Sequence, residues 1–263
     1  MDRIDDRLLA PGAAPREQGS RYLVSLARDE YERREAQALR WKVFAGELGA
    51  RLPSRTPGID HDVFDPHCEH LIVRDGPGGE VIGTYRMLAP EAARRIGCLY
   101  SETEFDLTRL QLVRERTLEI GRSCIHPDHR TGAVLLLLWS GLARFMTDRN
   151  CSYLAGCASM SMADGGVSAA AVAQRLSASY LAPPEYRVFP RCPLPLESLA
   201  PYAQGREAAL PPLLKGYLRC GAWVCGDPAW DPDFNTADFF VFLSRARLDA
   251  RYARHWIRAR DTA

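Results

Sequence analysis

A carboxylate and a guanidinium stand three residues apart, at Glu119 and Arg122, on a run that leads straight into the start of a helix. The run reads Leu118-Glu119-Ile120-Gly121-Arg122-Ser123-Cys124-Ile125, then His126-Pro127-Asp128-His129-Arg130-Thr131-Gly132. Leu118, Ile120 and Ile125 are strand formers, and Gly121 marks a place for a bulge or for close approach of a ligand. Pro127 stops the strand because it has no ladder donor. The helix that follows begins Ala133-Val134-Leu135-Leu136-Leu137-Leu138-Trp139. Free N–H groups and the positive dipole end at a helix start suit a phosphate. A phosphate cradle beside an acid and a cation fits a transferase whose donor hangs on phosphopantetheine. The same spacing also fits an ordinary strand–helix unit in which Glu119 pairs with Arg122.

Other charged positions gather upstream. Arg40 and Phe44, four apart, share one helix face. Asp62 and Asp65 flank Phe64 in a loop that also carries Pro53, Pro57-Gly58 and Pro66. They read either as solvated turn aspartates or as anions for a ligand ammonium. His61 and His67 lie near them, but the spacing matches no metal pattern and no metal is expected. Arg86 sits in the strand Gly83-Thr84-Tyr85-Arg86-Met87-Leu88. Cys124 could act as a nucleophile, although acyl transfer to an amine requires no covalent intermediate.

These residues need elements to place them. Arg21 to Ala27 reads as a first strand. Asp29 caps a helix running to about Leu48, with Tyr31, Ala38, Trp41 and Leu48 as its apolar stripe. Glu69–Arg74 and Glu80–Leu88 make two strands around the turn Asp75-Gly76-Pro77-Gly78-Gly79. Residues 91–96 suit a short helix, and 98–111, with Tyr100, Glu102 and Glu104, form a turn-rich approach to the central strand. A buried helix is expected from Gly132 to Arg149, a small-residue strand at 152–160 and a helix at 166–180. The stretch from Pro190 to Pro212 reads as irregular. Two last strands, Ala222–Gly226 and Ala237–Leu243, enclose a long loop on the active-site side. Strands and helices in this mixed order argue one α/β domain around a central sheet. Residues 1–19 read as a flexible leader, 20–244 as the domain and 245–263 as a basic helix or tail. That tail suits solvent, an acidic carrier protein or an anionic lipid surface.

Composition narrows the class. Net charge is +1, so no general nucleic-acid binder is indicated. Eight cysteines show no C-x-x-C spacing and no zinc pattern, and several sit in apolar runs. Reduced, buried thiols fit a cytoplasmic protein. The polar first twenty residues are no secretory signal, and no apolar run approaches the ~20 residues of a spanning helix.

The wording from Leu118 to Gly132 resembles the fourth strand and pyrophosphate loop of GNAT-fold N-acyltransferases. Within them it is most similar to the L-ornithine N-alpha-acyltransferases of ornithine-lipid synthesis, relatives of the acyl-homoserine-lactone synthases. The similarity runs from about Tyr22 to Leu243. Arg40 and Phe44, Asp62 and Asp65, Arg86, and Glu119 with Arg122 match charged and aromatic positions of the synthases in order. Those enzymes usually continue Ser-Arg-Phe where this chain has Gly121-Arg122-Ser123. The His126–Gly132 loop and the stretch Phe234-Asn235-Thr236-Ala237-Asp238-Phe239-Phe240 look like the ornithine group instead. The acetyl-CoA loop pattern survives only as Arg130-Thr131-Gly132-Ala133, which argues against an acetyl-CoA donor.

The resemblance implies a GNAT-like fold with a mixed central sheet and flanking helices. It implies transfer of a 3-hydroxyacyl chain from acyl carrier protein to the alpha-amine of L-ornithine, giving lyso-ornithine lipid, with no cofactor beyond the carrier's 4'-phosphopantetheine. Glu119 and Arg122 would be catalytic. Arg40, Phe44, Asp62, Asp65 and Arg86 would bind the acceptor, and Arg130, Thr131, Gly132 and Ala133 the donor phosphate. A synthase using another acceptor, or a non-catalytic lipid- or carrier-binding module, are the rival readings. A Glu119 open to a cleft favours the enzyme, and a salt-bridged, sealed one favours the module.

Overall fold

The computed structural model describes residues 21–248. The leader and most of the basic tail lie outside the described residues. The tail's first residues, Arg245–Arg247, form one helical turn.

The chain opens with β1 (Tyr22–Leu26) and α1 (Glu30–Trp41), which Asp29 caps by accepting the Glu32 N–H at 2.9 Å. The helix widens into a π-turn over Lys42–Glu47. Its buried face is not the expected stripe: Tyr31, Trp41 and Leu48 are exposed, and Ala36, Leu39, Arg40 and Val43 are buried. An apolar count could not find this face, because a paired arginine is part of it.

The hairpin of β2 (Glu69–Asp75) and β3 (Val81–Leu88) leads to α2 (Pro90–Ile96). The two-residue β4 (Phe105–Asp106) precedes the central β5 (Thr117–Ile125), α3 (Gly132–Asp148), β6 (Tyr153–Ser161) and α4 (Val167–Ser179). Then come β7 (Phe189–Pro190), α5 (Leu196–Ala203) and α6 (Pro212–Arg219). The last strands are β8 (Trp223–Val224), β9 (Ala229–Asp231) and β10 (Thr236–Ser244). Several short elements went unforeseen, among them β4 and β7, which pair with each other as a separate two-stranded sheet. α5 lies in the stretch read as irregular and keeps Pro201 inside it. β9 lies in the expected long loop and pairs with the start of β10.

The main sheet runs β1-β2-β3-β5-β6-β10-β8, with β9 also on β10. Every pair is antiparallel except β5 with β6. That parallel ladder covers only Thr117–Glu119 against Tyr153–Ala155, although both strands run on for six more residues. Its other flank stays paired, since β6 follows β10 from Tyr153 to Ser161. The sheet therefore opens into a wedge just past Glu119. At its apex the backbones stay close: a Cβ on Gly156 would lie 2.2 Å from the Ile120 carbonyl oxygen. That small residue serves packing.

Leu71, Val73, Tyr85 and Met87 pack in a core with Val134, Leu138 and Leu142 of α3. The alternate residue Ile72, and Val81 past a register shift between β2 and β3, pack with Cys124 against Ala36, Leu39 and Val43 on the α1 side. Alternation along β2 thus sends neighbouring residues to opposite faces, each covered by a helix.

Candidate active site

The catalytic candidates lie where β5 bends. Thr84 pairs with Cys124, but Arg86 pairs with Gly121, so β5 carries one residue more than β3 across this interval. The bulge is present, one residue later than Gly121. Arg122 takes the left-handed conformation, at φ 48°, which a side-chain-bearing residue rarely adopts. Gly121 instead borders open space.

Three arginines and three aspartates converge here. Arg40 is fully buried and donates to Asp60 Oδ2 at 2.7 Å, Asp60 O at 2.5 Å and Asp65 Oδ1 at 2.7 Å. Arg86 reaches Asp62 Oδ1 at 2.6 Å and Asp65 Oδ2 at 2.9 Å. Arg122 is held more loosely, at 3.2 Å from Asp62 Oδ2 and 3.2 Å from the Tyr100 hydroxyl. Its Nε lies 3.3 Å from Asp60 Oδ2 and forms no hydrogen bond. The guanidinium rests over the rings of Tyr100, at 4.9 Å, and Phe234, at 4.6 Å. Phe234 in turn meets Phe44 edge-on. Burial alone would raise the Asp65 carboxyl, but the Arg40 and Arg86 charges hold it well below the usual range. Burial, then the Arg40 charge, pushes the adjacent His70 down to about 4, so its ring is neutral at pH 7.

The structure thus gathers Arg40, Phe44, Asp62, Asp65, Arg86 and Arg122 in one place and adds Asp60, which the sequence reading left out. A charge count could have found it: three arginines against two aspartates ask for a third anion, and Asp60 is two residues from Asp62. Asp62 and Asp65 are not solvated. Asp62 also caps the Phe64 and Asp65 amides, as a turn aspartate does.

Glu119 stands apart from these ions. It is buried and accepts the backbone N–H groups of Tyr100 and Ser101 at 2.6 and 2.7 Å. It forms no ion pair with Arg122, contrary to the ordinary strand–helix reading. Burial raises its carboxyl, and hydrogen bonds from Ser101, by side chain and then backbone, and from the Tyr100 amide offset part of that rise. Glu119, Gly121, Arg86, Tyr100, Phe64 and Cys68 line a cavity of about 10 Å³, room for one water. Cys124 is buried and its thiol is pushed up to about 12, which removes it as a nucleophile at neutral pH.

At the donor end, Gly132 and Ala133 begin α3, and both are exposed, as is Thr131. The expected cradle shifts by one residue. The Thr131 amide already donates to His129 O at 2.7 Å, so the open donors are those of Gly132, Ala133 and Val134. The Arg130 side chain turns to Glu47, at 2.7 and 2.5 Å, and ties this loop to the turn after α1.

A wedge between two parallel strands, a buried acid at its apex and a helix N-terminus beside it define a GNAT-type acyltransferase domain. In agreement, a family model described as an acetyltransferase (GNAT) domain matches residues 39–140. Solved structures agree on the fold. An N-acyl amino acid synthase from uncultured soil microbes superposes with a TM-score of 0.54 at 11% identity, over 89% of this chain and 97% of that one. A CoA-dependent acyl-homoserine lactone synthase gives 0.50 at 12% identity, over 92% and 96%.

The L-ornithine N(alpha)-acyltransferase of Rhodobacter capsulatus is 37% identical over 90% of this chain and 95% of its own length. That of Brucella abortus is 34% identical over 89% and 88%. The chain belongs to the L-ornithine N(alpha)-acyltransferase family.

Proposed function

We propose that this protein transfers a 3-hydroxyacyl chain from the phosphopantetheine of acyl carrier protein to the alpha-amine of L-ornithine, releasing lyso-ornithine lipid and free carrier. The acceptor amine enters the wedge neutral and attacks the thioester carbonyl. Glu119 receives its proton through the one water that fits beside it. Both Glu119 oxygens take an amide, yet each keeps a second lone pair for that water. An amide at the Arg122–Ser123 bulge faces the developing oxyanion. The amides of Gly132, Ala133 and Val134 hold the pantetheine phosphate.

The acceptor carboxylate goes to Arg122 rather than to Arg40 or Arg86. Arg40 is sealed and Arg86 has short bonds to two aspartates, whereas Arg122 has only long contacts, of 3.2–3.3 Å, to Asp62, Tyr100 and Asp60. A bidentate carboxylate there would also orient the alpha-amine.

The observation that carries an enzyme over a binding module is Glu119 itself: among the described residues it forms no ion pair, and a cavity adjoins it. Mass spectrometry of lipids from a heterologous host expressing the chain tests the reaction. The expected result is a new N-acylated ornithine species. Lipids unchanged despite soluble expression, together with no transfer from loaded carrier protein in vitro, would refute it.

No helix among the described residues is long and apolar enough to cross a membrane. We place any membrane contact at the basic tail.

A further inference from the structure

One end of the sheet carries an apolar surface that the catalytic scheme leaves unused. Between β4 and β5 the chain makes two tight turns, and Leu112 stands between them with 98% of its surface exposed. The loop is anchored: Leu107 and Leu110 are buried, and Thr117 Oγ1 donates to Val113 O at 2.8 Å. Phe189 of β7 shares the surface, 52% exposed, with the Arg109 guanidinium 4.9 Å over its ring. One exposed leucine would need no explanation. Here cations frame it. Arg109, Arg116, Arg245 and Arg247 are all exposed, against Glu115 and Glu185, while Asp106 is matched by Arg191.

A circuit of contacts joins this loop to the basic tail. Arg116 O accepts the Ser152 N–H at 2.9 Å, and Ser152 O accepts the Arg245 N–H at 2.9 Å. Arg247 lies 3.9 Å over the Trp223 ring, and Trp223 stacks on Tyr186. Tyr186 closes the turn whose Pro184 carbonyl accepts from Arg109 at 2.7 Å. The described chain ends on this face at Leu248, and the sequence beyond adds Arg251, Arg254, Arg258 and Arg260. The face sits at the start of β5, whereas the helix N-terminus proposed for the carrier's phosphate follows its end. Nine strand residues keep the two ~30 Å apart. A second cavity lies on the way from Glu119 to this face. It is lined by Ala155, which pairs opposite Glu119, by Leu99, Leu107 and Leu110, and by Gln111 and Arg114 of the loop itself.

We infer that this face docks on an anionic lipid bilayer, so that the membrane contact placed at the tail continues onto the folded domain. The inference rests on the reading that the product is lyso-ornithine lipid, and it names the surface from which that product reaches the membrane. Leu112 and Phe189 enter the headgroup layer, and the arginines meet lipid phosphates. The apolar cavity leads the acyl chain from Glu119 toward the same side. The carrier protein does not cover this face, because its phosphate is held at the other end of β5.

The test sediments the purified full chain with vesicles of mixed phosphatidylglycerol and phosphatidylcholine, and with vesicles of phosphatidylcholine alone. Wild type should partition to the anionic vesicles. Leu112→Ser and Arg116→Glu should each lower the partition coefficient at least about 5-fold, the worth of one cation at such a surface. Melting, and acyl transfer to ornithine in vesicle-free solution, should stay unchanged, since both side chains are exposed and neither lines the cavity beside Glu119. Wild-type partition in both folded variants overturns the inference. So does weaker binding of carrier protein by the variants with vesicle binding intact, because the face would then belong to the carrier. A chain that needs Leu112 and Arg116 for vesicles but acylates no ornithine refutes the parent reaction and keeps this face. One that acylates ornithine and ignores anionic vesicles refutes only the face.

Discussion

Glu119 shows how a single side chain can be both base and structural support. Its two oxygens hold the Tyr100–Ser101 turn. In Glu119→Gln the amide group must point its own donors at one of those N–H groups. The variant should therefore lose about 1–3 kcal/mol of stability as well as roughly 10²-fold or more in kcat. Melting and saturating kinetics on the same sample read both, and near-normal turnover would remove Glu119 from the mechanism. Arg122→Lys keeps the charge but not the two-pronged donor, so acceptor KM should rise several-fold while donor KM stays within about twofold. Equal rises in the two constants would argue against a carboxylate contact. Asp62→Asn leaves Arg86 and Arg122 short of an anion in a buried network, at a cost of about 3–5 kcal/mol. A melting temperature within a degree or two of wild type would show that the network tolerates the loss.

Among the elements, the junction before α3 offers the cleanest separation of donor from acceptor. Gly132 is the first helical residue, where proline is well tolerated. Thr131 before it is already extended, at φ −107° and ψ 156°, as a residue before proline must be. Gly132→Pro should therefore preserve the fold and delete one phosphate-facing N–H. The expected outcome is a several-fold higher KM for loaded carrier protein with little change for ornithine. Normal donor kinetics in a folded variant would place the phosphate elsewhere. This junction was legible in sequence because Pro127, Gly132 and the leucine run punctuate it. The strands of the sheet were legible for the same reason, with Gly-rich or Pro-containing turns between apolar runs. The buried face of α1 was not, since Arg40 and Gln37 enter the core only because Asp60 and Asp65 meet them from another segment. Glu104 and Asp238 were equally hidden: each is one acid in its own stretch, and only the sheet order brings them together.

For the whole molecule, the two buried groups His70 and Glu104 shape stability against pH from opposite sides. His70 titrates near 4 in the folded chain against 6.5 in the unfolded one. The unfolded chain thus binds the proton first, and stability present above pH 6.5 is lost as pH falls toward 4. The separation is worth about 3 kcal/mol. Glu104 has the reverse sign. Its ordinary value is 4.5, and in the fold it is pushed up to about 9, chiefly by burial and then by Asp238. Between those limits the folded state binds more protons than the unfolded one, so stability falls as pH rises. Wild-type melting temperature should pass through a maximum in mildly acidic solution. Glu104→Gln removes the titrating group, so it should melt higher than wild type at pH 8 by more than at pH 5. Parallel melting curves for the two proteins across that range would show that Glu104 carries no displaced proton.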